Sequence, residues 1–454
     1  MSAEPEDPKN GKDEEESGIP ALYTYFGQFI DHDITFDPDS SLQKQNDPDA
    51  LTDYRTPAFD LDSVYGSGPD DQPYMYDGGY SFLLGRAIHG GTDHDAFDLP
   101  RNGAPPDRSR ALIGDPRNDE NVLISQLHGL LLRFHNRTLK DITRTVKDGK
   151  LAFAETQRLV RFHYQYVVLN DFLPRIVHSS VLRELKVDGK FKQEKLRFFR
   201  WKNEPFMPVE FSVAAYRFGH SMVRPGYRIN DAKLLPIFPT PKHHEGLRGF
   251  RAVNSAWGID WGRLINIDVR KYDGSNAANA RRLQFAYRID TSLVSPLSRL
   301  PTSVVSSAPF SLAGRNLERG WRLGLPSGQE VARAMGVTPL ADNDIIIGKA
   351  VMARRQSAPN ILSISPIYKN NCPLWVYILA EAMHHQERVK IPVKENIAIM
   401  TPRLGPVGGR ILAEVFIGLM FGDKRSYLNL EPNWRPQAGP HYSLKDFIKH
   451  ALGH

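Results

Sequence analysis

The sequence predicts a mainly α fold, one large domain with long loops and few, short strands. Three observations carry that reading. Apolar residues return at helical spacing in segment after segment, as in Leu127, Leu130, Leu131 and Phe134. Runs with two-residue alternation are rare and short. Stretches rich in Asp, Pro, Gly and Ser separate the helical segments, the longest over residues 37–110. A length of 454 residues permits two or three domains or one large one, and no repeat of fixed period divides the chain.

Taken in order, residues 1–19 are acidic and polar and are expected to form a disordered or poorly anchored arm, with the domain covering 20–454. From Pro20, the segment ALYTYFGQFIDHDITF is helical in pattern. An irregular stretch as long as 37–110 needs a functional reason or an internal staple such as a metal. Asp115 can cap a helix, Pro116 suits its first position, and that helix should run to about Asp141. Further helices are expected over Glu155–Asn170, Val213–Val223 (ending before Pro225), Gly328–Met335, Pro373–Glu387 and Gly409–Phe421.

Composition excludes several classes. Hydrophobic residues make up 41% and charged residues 24%, ordinary for a globular chain able to bury a large core. The net charge of +6 is dilute at this length. The densest basic stretch, Arg183 to Lys202, is interleaved with Glu184, Asp188 and Glu194 and reads as a solvated face rather than a nucleic-acid surface. No glycine-rich phosphate loop is present. Cys372 is the one cysteine, which rules out an internal disulfide and a cysteine metal site and leaves it a buried small residue. No run of about 18 apolar residues predicts a transmembrane helix. The N-terminus lacks an apolar core, so no signal peptide is expected, and the chain reads as soluble, cytoplasmic or exported by another route. Asn136-Arg137-Thr138 matches a glycosylation acceptor but falls in a helical segment and is read as chance.

Four clusters carry chemistry. In Gly27-Gln28-Phe29-Ile30-Asp31-His32-Asp33, a helix places Gln28, Asp31 and His32 within an arc of roughly 100° and turns Asp33 away from it. Such a polar row between Phe29, Ile30, Ile34 and Phe36 is costly unless it is used. In TPAFDLDSVYGS, residues 56–67, alternate positions of a short loop can aim oxygens inward, as a hard cation requires. In GDPRNDEN, Arg117, Glu120 and Asn121 share a helical face. In AAYRFGHSMVRP, His220 lies on a helix that ends before Pro225.

GQFIDHD resembles the distal motif of the animal-type haem peroxidases, the peroxidase–cyclooxygenase superfamily, and the other clusters follow in that family's order. The resemblance spans about residues 20–435, including IDTSLVSPL and GRILAEVFIGLMFGD, and suggests a short member of microbial type. It implies a haem-peroxidase domain with haem b and Ca2+. Gln28 and His32 would line the distal face of the haem with Arg117, and Asp31 and Glu120 could form esters with haem methyls. Asn121 stands where some members have a Met that bonds to the haem, so no such bond is expected here. Asp33, Thr56, the Ala58 carbonyl, Asp60 and Asp62 would hold calcium. His220 would ligate the iron, Asn316 in RNLERGWRLGLP would bond its other nitrogen, and Arg217 would meet a haem propionate.

The implied activity is reduction of hydrogen peroxide with oxidation of small donors such as phenolics, or of halide or thiocyanate, in a response to oxidative stress. Two alternatives stand beside it. One is a haem fatty-acid dioxygenase of the same superfamily. Those enzymes carry a radical-forming Tyr three residues before the proximal His, where this chain has Arg217, with Tyr216 one place earlier. The other is a non-catalytic binding protein on the same scaffold. His384 and His385 lack a carboxylate at ligand spacing and are read as structural or surface residues.

Overall fold

The computed structural model describes residues 2–3, 13–35, 56–78, 80–103, 105, 109–240, 244–272, 281–351 and 358–454. Among these, eight helices and two short strand pairs position the site. The helices are α1 (Leu22–Ile34), α2 (Val122–Ile142), α3 (Gly149–Val167), α4 (Leu312–Arg322), α5 (Gly328–Ala334), α6 (Leu374–His384), α7 (Gly408–Gly422) and α8 (Leu444–Leu452). Strand β1 (Glu16–Pro20) pairs antiparallel with β2 (Phe285–Tyr287), and β3 (Gln386–Lys390) with β4 (Ala398–Pro402). Every sheet among the described residues has only two strands. The mainly α reading holds.

α1 is the central helix. Leu22, Phe26, Phe29, Ile30 and Ile34 are buried around it, so it has no solvent face to mark its orientation. It ends at Thr35, whose N–H and hydroxyl both donate to the Asp31 carbonyl, at 2.9 and 2.8 Å. α7 is likewise buried from Gly408 to Met420. α8 closes the domain: Ser443 and Asp446 form a capping box, and Phe447 stacks on Phe134 of α2 at 4.1 Å.

Several boundaries differ from the sequence expectation, each for a local reason. Asp115 caps only a short 3-10 turn, Pro116–Asp119, by accepting from the Arg117 N–H at 2.8 Å. Asn121 is extended (φ −148°, ψ 159°) and breaks the helix, so α2 starts at Val122. α3 begins six residues earlier than expected because Asp148 caps it through Leu151 N–H at 2.9 Å, and it runs on into a π turn, Val168–Phe172. The expected helix over 213–223 is a π turn, Glu210–Ala214, followed by a 3-10 stretch, Ala215–Met222, with the break at Ala214 (φ −123°, ψ −66°). α6 stops at His384 because Gln386–Lys390 is taken into a strand.

The arm over 1–19 is the largest departure. Residues 4–12 lie outside the described residues, but 13–19 are anchored. Glu16 is 1% exposed, and its carboxylate receives Arg224 at 2.7 Å, Arg282 at 2.7 Å and the Tyr272 hydroxyl at 2.7 Å. Burial would raise its carboxyl, but the two guanidiniums override it and hold it below the usual range. Gly18 lets β1 lie against the β3–β4 pair; a Cβ there would sit 2.7 Å from Val389. The acidic composition that suggested disorder thus includes a buried ion cluster. Inside the long loop region, Arg101 is a staple, bonded to Asp98 at 3.0 Å and Asp119 at 2.7 Å. Asn136 is a second one, clamping Phe82 through both its N–H and its carbonyl, at 2.7 and 2.9 Å.

Glu16 is the carboxylate that Arg224 and Arg282 share in the core, so Glu16→Ala should cost about 3–5 kcal/mol in denaturant unfolding. A second expectation concerns pH. Buried His135 accepts from the Tyr65 hydroxyl at 3.0 Å and donates to the Tyr80 carbonyl at 3.1 Å, a fully satisfied neutral ring. Burial lowers its pKa to about 4, so the native chain resists a proton that the unfolded chain takes up near 6.5. Its contribution is complete above pH 6.5 and is lost as pH falls toward 4. The stability difference between pH 7 and pH 4.5 should shrink by about 2–3 kcal/mol in His135→Gln.

Candidate functional site

Two segments face one another at the centre of the domain. α1 brings Gln28, Asp31 and His32; the 3-10 stretch Ala215–Met222 brings Arg217 and His220. They are joined directly, since the Tyr216 hydroxyl donates to the Gly27 carbonyl at 3.0 Å.

On the α1 side, His32 is 4% exposed and its Nδ1 lies 2.9 Å from Asn118 Oδ1. An amide oxygen can only accept, so Nδ1 carries the proton and Nε2 presents a lone pair. Nε2 lies 3.8 Å from Glu120 Oε1. Gln28 Nε2 donates to the same carboxylate, and Asn121 Nδ2 donates to Gln28 Oε1 at 3.2 Å. A third of the Glu120 side chain is accessible, yet enclosure by protein raises its carboxyl above the usual range, against the pull of His32 and Arg117. Accessible area combined with enclosure is what a side chain shows when it lines an internal cavity.

Arg117 is held from behind. Its guanidinium donates to Asp115 at 2.8 Å, to the His32 carbonyl at 2.9 Å and to the Thr35 carbonyl. Burial would raise the Asp115 carboxyl, but Arg117 overrides it and keeps it ionised. The shared helical face expected for Arg117, Glu120 and Asn121 is not formed. They occupy a 3-10 turn, its cap and the next helix's cap, although Glu120 and Asn121 still meet at Gln28.

On the opposite side, burial lowers the His220 pKa to about 3, with Arg217 adding to it, so the ring is neutral. The Asn316 amide of α4 lies 2.9 Å from its Nδ1, and Asn316 is the one buried residue of that helix. The amide atom placed there is Asn316 Nδ2; with the amide turned over, Oδ1 accepts from Nδ1–H and leaves Nε2 the lone pair that ligates a metal. Arg217 is lowered to about 10 by burial, then by Arg319. Arg315 lowers it further and Asp31 across the cavity raises it. An enclosed cluster of guanidiniums favours an anionic ligand, so Arg217 and Arg319 suit the carboxylates of a cofactor seated beside His220. These residues fit haem.

A second cluster lies behind α1. Carboxylate oxygens of Asp33, Asp60 and Asp62 all fall within 4.8 Å of one another. Asp33 accepts from Ser63 Oγ at 3.0 Å and Leu61 N–H at 3.4 Å, and Leu61 takes the left-handed conformation (φ 60°) to bring its N–H round. Thr56 and Ala58 lie on the same loop, with Ala58 N–H donating to the Thr56 carbonyl at 2.7 Å. Three acids at this spacing fit an oxygen-binding cation.

The family model for the animal haem peroxidase matches residues 42–390. The chain belongs to the animal haem peroxidase family. Among curated proteins, a peroxidase-like protein of Margaritifera margaritifera is 26% identical over 371 residues, which are 67% of this chain and 44% of that protein. Human thyroid peroxidase is 26% identical over 346 residues, 72% of this chain and 34% of that protein. The chain therefore spans less than half the length of these relatives. Among solved structures, peroxidase A of Dictyostelium discoideum aligns over 99% of this chain and 88% of its own, with a TM-score of 0.61 and 18% identity. A fatty acid alpha-dioxygenase of Arabidopsis thaliana aligns over 98% and 72%, with a TM-score of 0.55 and 13% identity. These likenesses show that the haem-peroxidase fold extends over α1, ahead of the span matched by the family model.

Sequence reasoning missed three residues of the site. Asn118 orients His32 and sits in the GDPRNDEN motif, where only the pairing with His32 would have singled it out. Arg319 was hidden because its neighbour Arg217 comes from another element. Ser63 follows the acids of the loop and binds Asp33. His384 and His385 are structural, bonded to the Asp344 and Glu381 carbonyls at 2.8 and 3.0 Å. Cys372 is buried, which pushes its thiol far up. No helix among the described residues is long and apolar enough to cross a membrane.

Proposed function

We propose that this chain is a haem-dependent peroxidase that reduces hydrogen peroxide and oxidises small donors. The observation that carries the reading is the opposition of two imidazoles with their Nδ1 positions engaged, His32 by Asn118 and His220 by Asn316, on segments tied through Tyr216. His220 Nε2 would hold the iron, and Arg217 and Arg319 the haem carboxylates. When bound, haem supplies the metal at which peroxide is reduced and the oxidising equivalents passed on to donors.

The chain's own residues then manage protons and charge. His32 Nε2 takes the proton from one peroxide oxygen and returns it to the other as the O–O bond breaks. Nδ1 stays tied to Asn118 throughout, so the ring cannot turn. Arg117, fixed by Asp115, adds positive charge beside His32 and favours the departing oxygen. Gln28 orients a distal water or halide. Asn316 donates no negative charge to the proximal ring, so His220 has less anionic character than a carboxylate partner would give it.

Asp31 and Glu120 are the groups proposed to form ester links to haem. Asp33, Asp60 and Asp62, with Thr56 and the Ala58 carbonyl, are proposed to bind Ca2+. A fatty-acid dioxygenase reading is weaker, because Arg217 stands where the radical Tyr is needed and the Tyr216 hydroxyl is committed to Gly27.

An optical spectrum before and after one equivalent of peroxide tests the reading. The purified or haem-reconstituted protein should show a Soret band that shifts with peroxide and recovers with a phenolic donor. His220→Ala should abolish the native band. A wild-type protein with no Soret band after reconstitution would sink the proposal in favour of a binding role. Intact mass after denaturation reads the ester links: haem retained on the chain supports them, and freely released haem rejects them. For calcium, a chelator should lower the melting temperature by at least a few degrees, and Asp60→Asn should remove that response. A melting curve indifferent to the chelator would reject the cation site.

A further inference from the structure

Three distal side chains form a relay with a fixed direction. Asn121 is the N-cap of α2, and its Oδ1 accepts from Leu123 N–H at 3.1 Å and Ile124 N–H at 2.9 Å. With the oxygen committed to the helix, Nδ2 points the other way and donates to Gln28 Oε1 at 3.2 Å. The Gln28 amide is then set as well: its oxygen faces Asn121 and its nitrogen faces Glu120, to which it donates. The two ends of a glutamine amide have nearly the same shape, so a Gln lining a cavity can ordinarily present either one. Here turning it over would set two N–H donors against each other at Asn121 and two oxygens against each other at Glu120.

We propose that Asn121 is a positioning residue that fixes the donor direction of Gln28, and thereby the hydrogen bond that the distal cavity can give to a bound ligand. One hydrogen of Gln28 Nε2 goes to Glu120, and the amide has a second to offer a bound ligand. The inference rests on the haem peroxidase reading. A cap role alone would predict that any good N-cap residue serves equally at 121, since Asp, Asn and Ser cap helices about as well as one another.

That difference supplies the test. Ferric holoprotein is titrated with fluoride and followed by absorption for the wild type, Asn121→Asp, Gln28→Leu and the double variant. Asn121→Asp keeps both cap acceptors but has no N–H for Gln28. Its fluoride dissociation constant should rise about tenfold, the worth of one hydrogen bond to an anion. Gln28→Leu should show a similar loss, and the double variant no more than Gln28→Leu alone. Melting temperatures of the holoproteins should stay within about 2 °C of wild type for Asn121→Asp. Asn121→Ser, a neutral cap without the amide, should weaken fluoride in the same direction. Wild-type fluoride affinity in Asn121→Asp and Asn121→Ser, or losses that add in the double variant, would overturn the relay. A wild-type protein that takes up no haem would overturn the peroxidase reading and this inference with it, whereas a normal peroxide response beside unchanged fluoride binding rejects the inference alone.

Discussion

Burying a polar row on α1 is the constraint around which the domain is arranged. Gln28, Asp31, His32 and Asp33 sit on a helix surrounded by Phe26, Phe29, Ile30 and Ile34, where an unsatisfied polar group costs about 1–3 kcal/mol. Two segments meet three of them. Asn118, Glu120 and Asn121 take His32 and Gln28 from one side, and Ser63 and Leu61 take Asp33 from the other. The loops between α1 and α2 are long because they must return to α1 from several sides. Irregular chain is tolerated there because staples such as Arg101 and Asn136 satisfy it internally.

The cavity has an electrostatic polarity that follows from this arrangement. Its α1 side carries two carboxyls, Asp31 and Glu120, and the proximal side carries Arg217 with Arg319. Neither set is neutralised fully by the other, since burial still raises Glu120 and still lowers Arg217. A cofactor carboxylate held at Arg217 would relieve the cation cluster. His220 is neutral and is met by an amide rather than a carboxylate, with Asn316 at 2.9 Å.

Much of the site was legible because short motifs carried it. GQFIDHD sits on one uninterrupted helix, so 100° per residue brings Gln28 and His32 round to Glu120 and turns Asp33 away to Ser63. The same arithmetic failed for GDPRNDEN, where Asn121 adopts an extended conformation that no periodicity reveals. It failed again at Ala214, where a π turn meets a 3-10 stretch. Asn118 and Arg319 were illegible in principle, since their roles depend on partners more than eighty residues away in sequence. The N-terminal acids misled for a related reason: Glu16 looks like solvated chain until Arg224 and Arg282 are known to converge on it.

The acidic loop behind α1 shows how the second proposed ligand would act on the first. Three carboxylates within 4.8 Å repel one another, and burial alone pushes Asp60 up. Arg161 and Arg425 approach Asp60, at 3.3 Å to its carbonyl and 3.2 Å to its carboxylate, which offsets part of that repulsion from outside the cluster. Leu61 also holds a left-handed conformation that costs a non-glycine residue on the order of 1 kcal/mol. A divalent cation bound by Asp33, Asp60 and Asp62 would relieve that repulsion. Because Asp33 directly follows His32 on α1, such a cation would hold the end of the helix from behind. It would fix the imidazole against Asn118 without touching the cavity, making the distal geometry a property of the loop as much as of the helix.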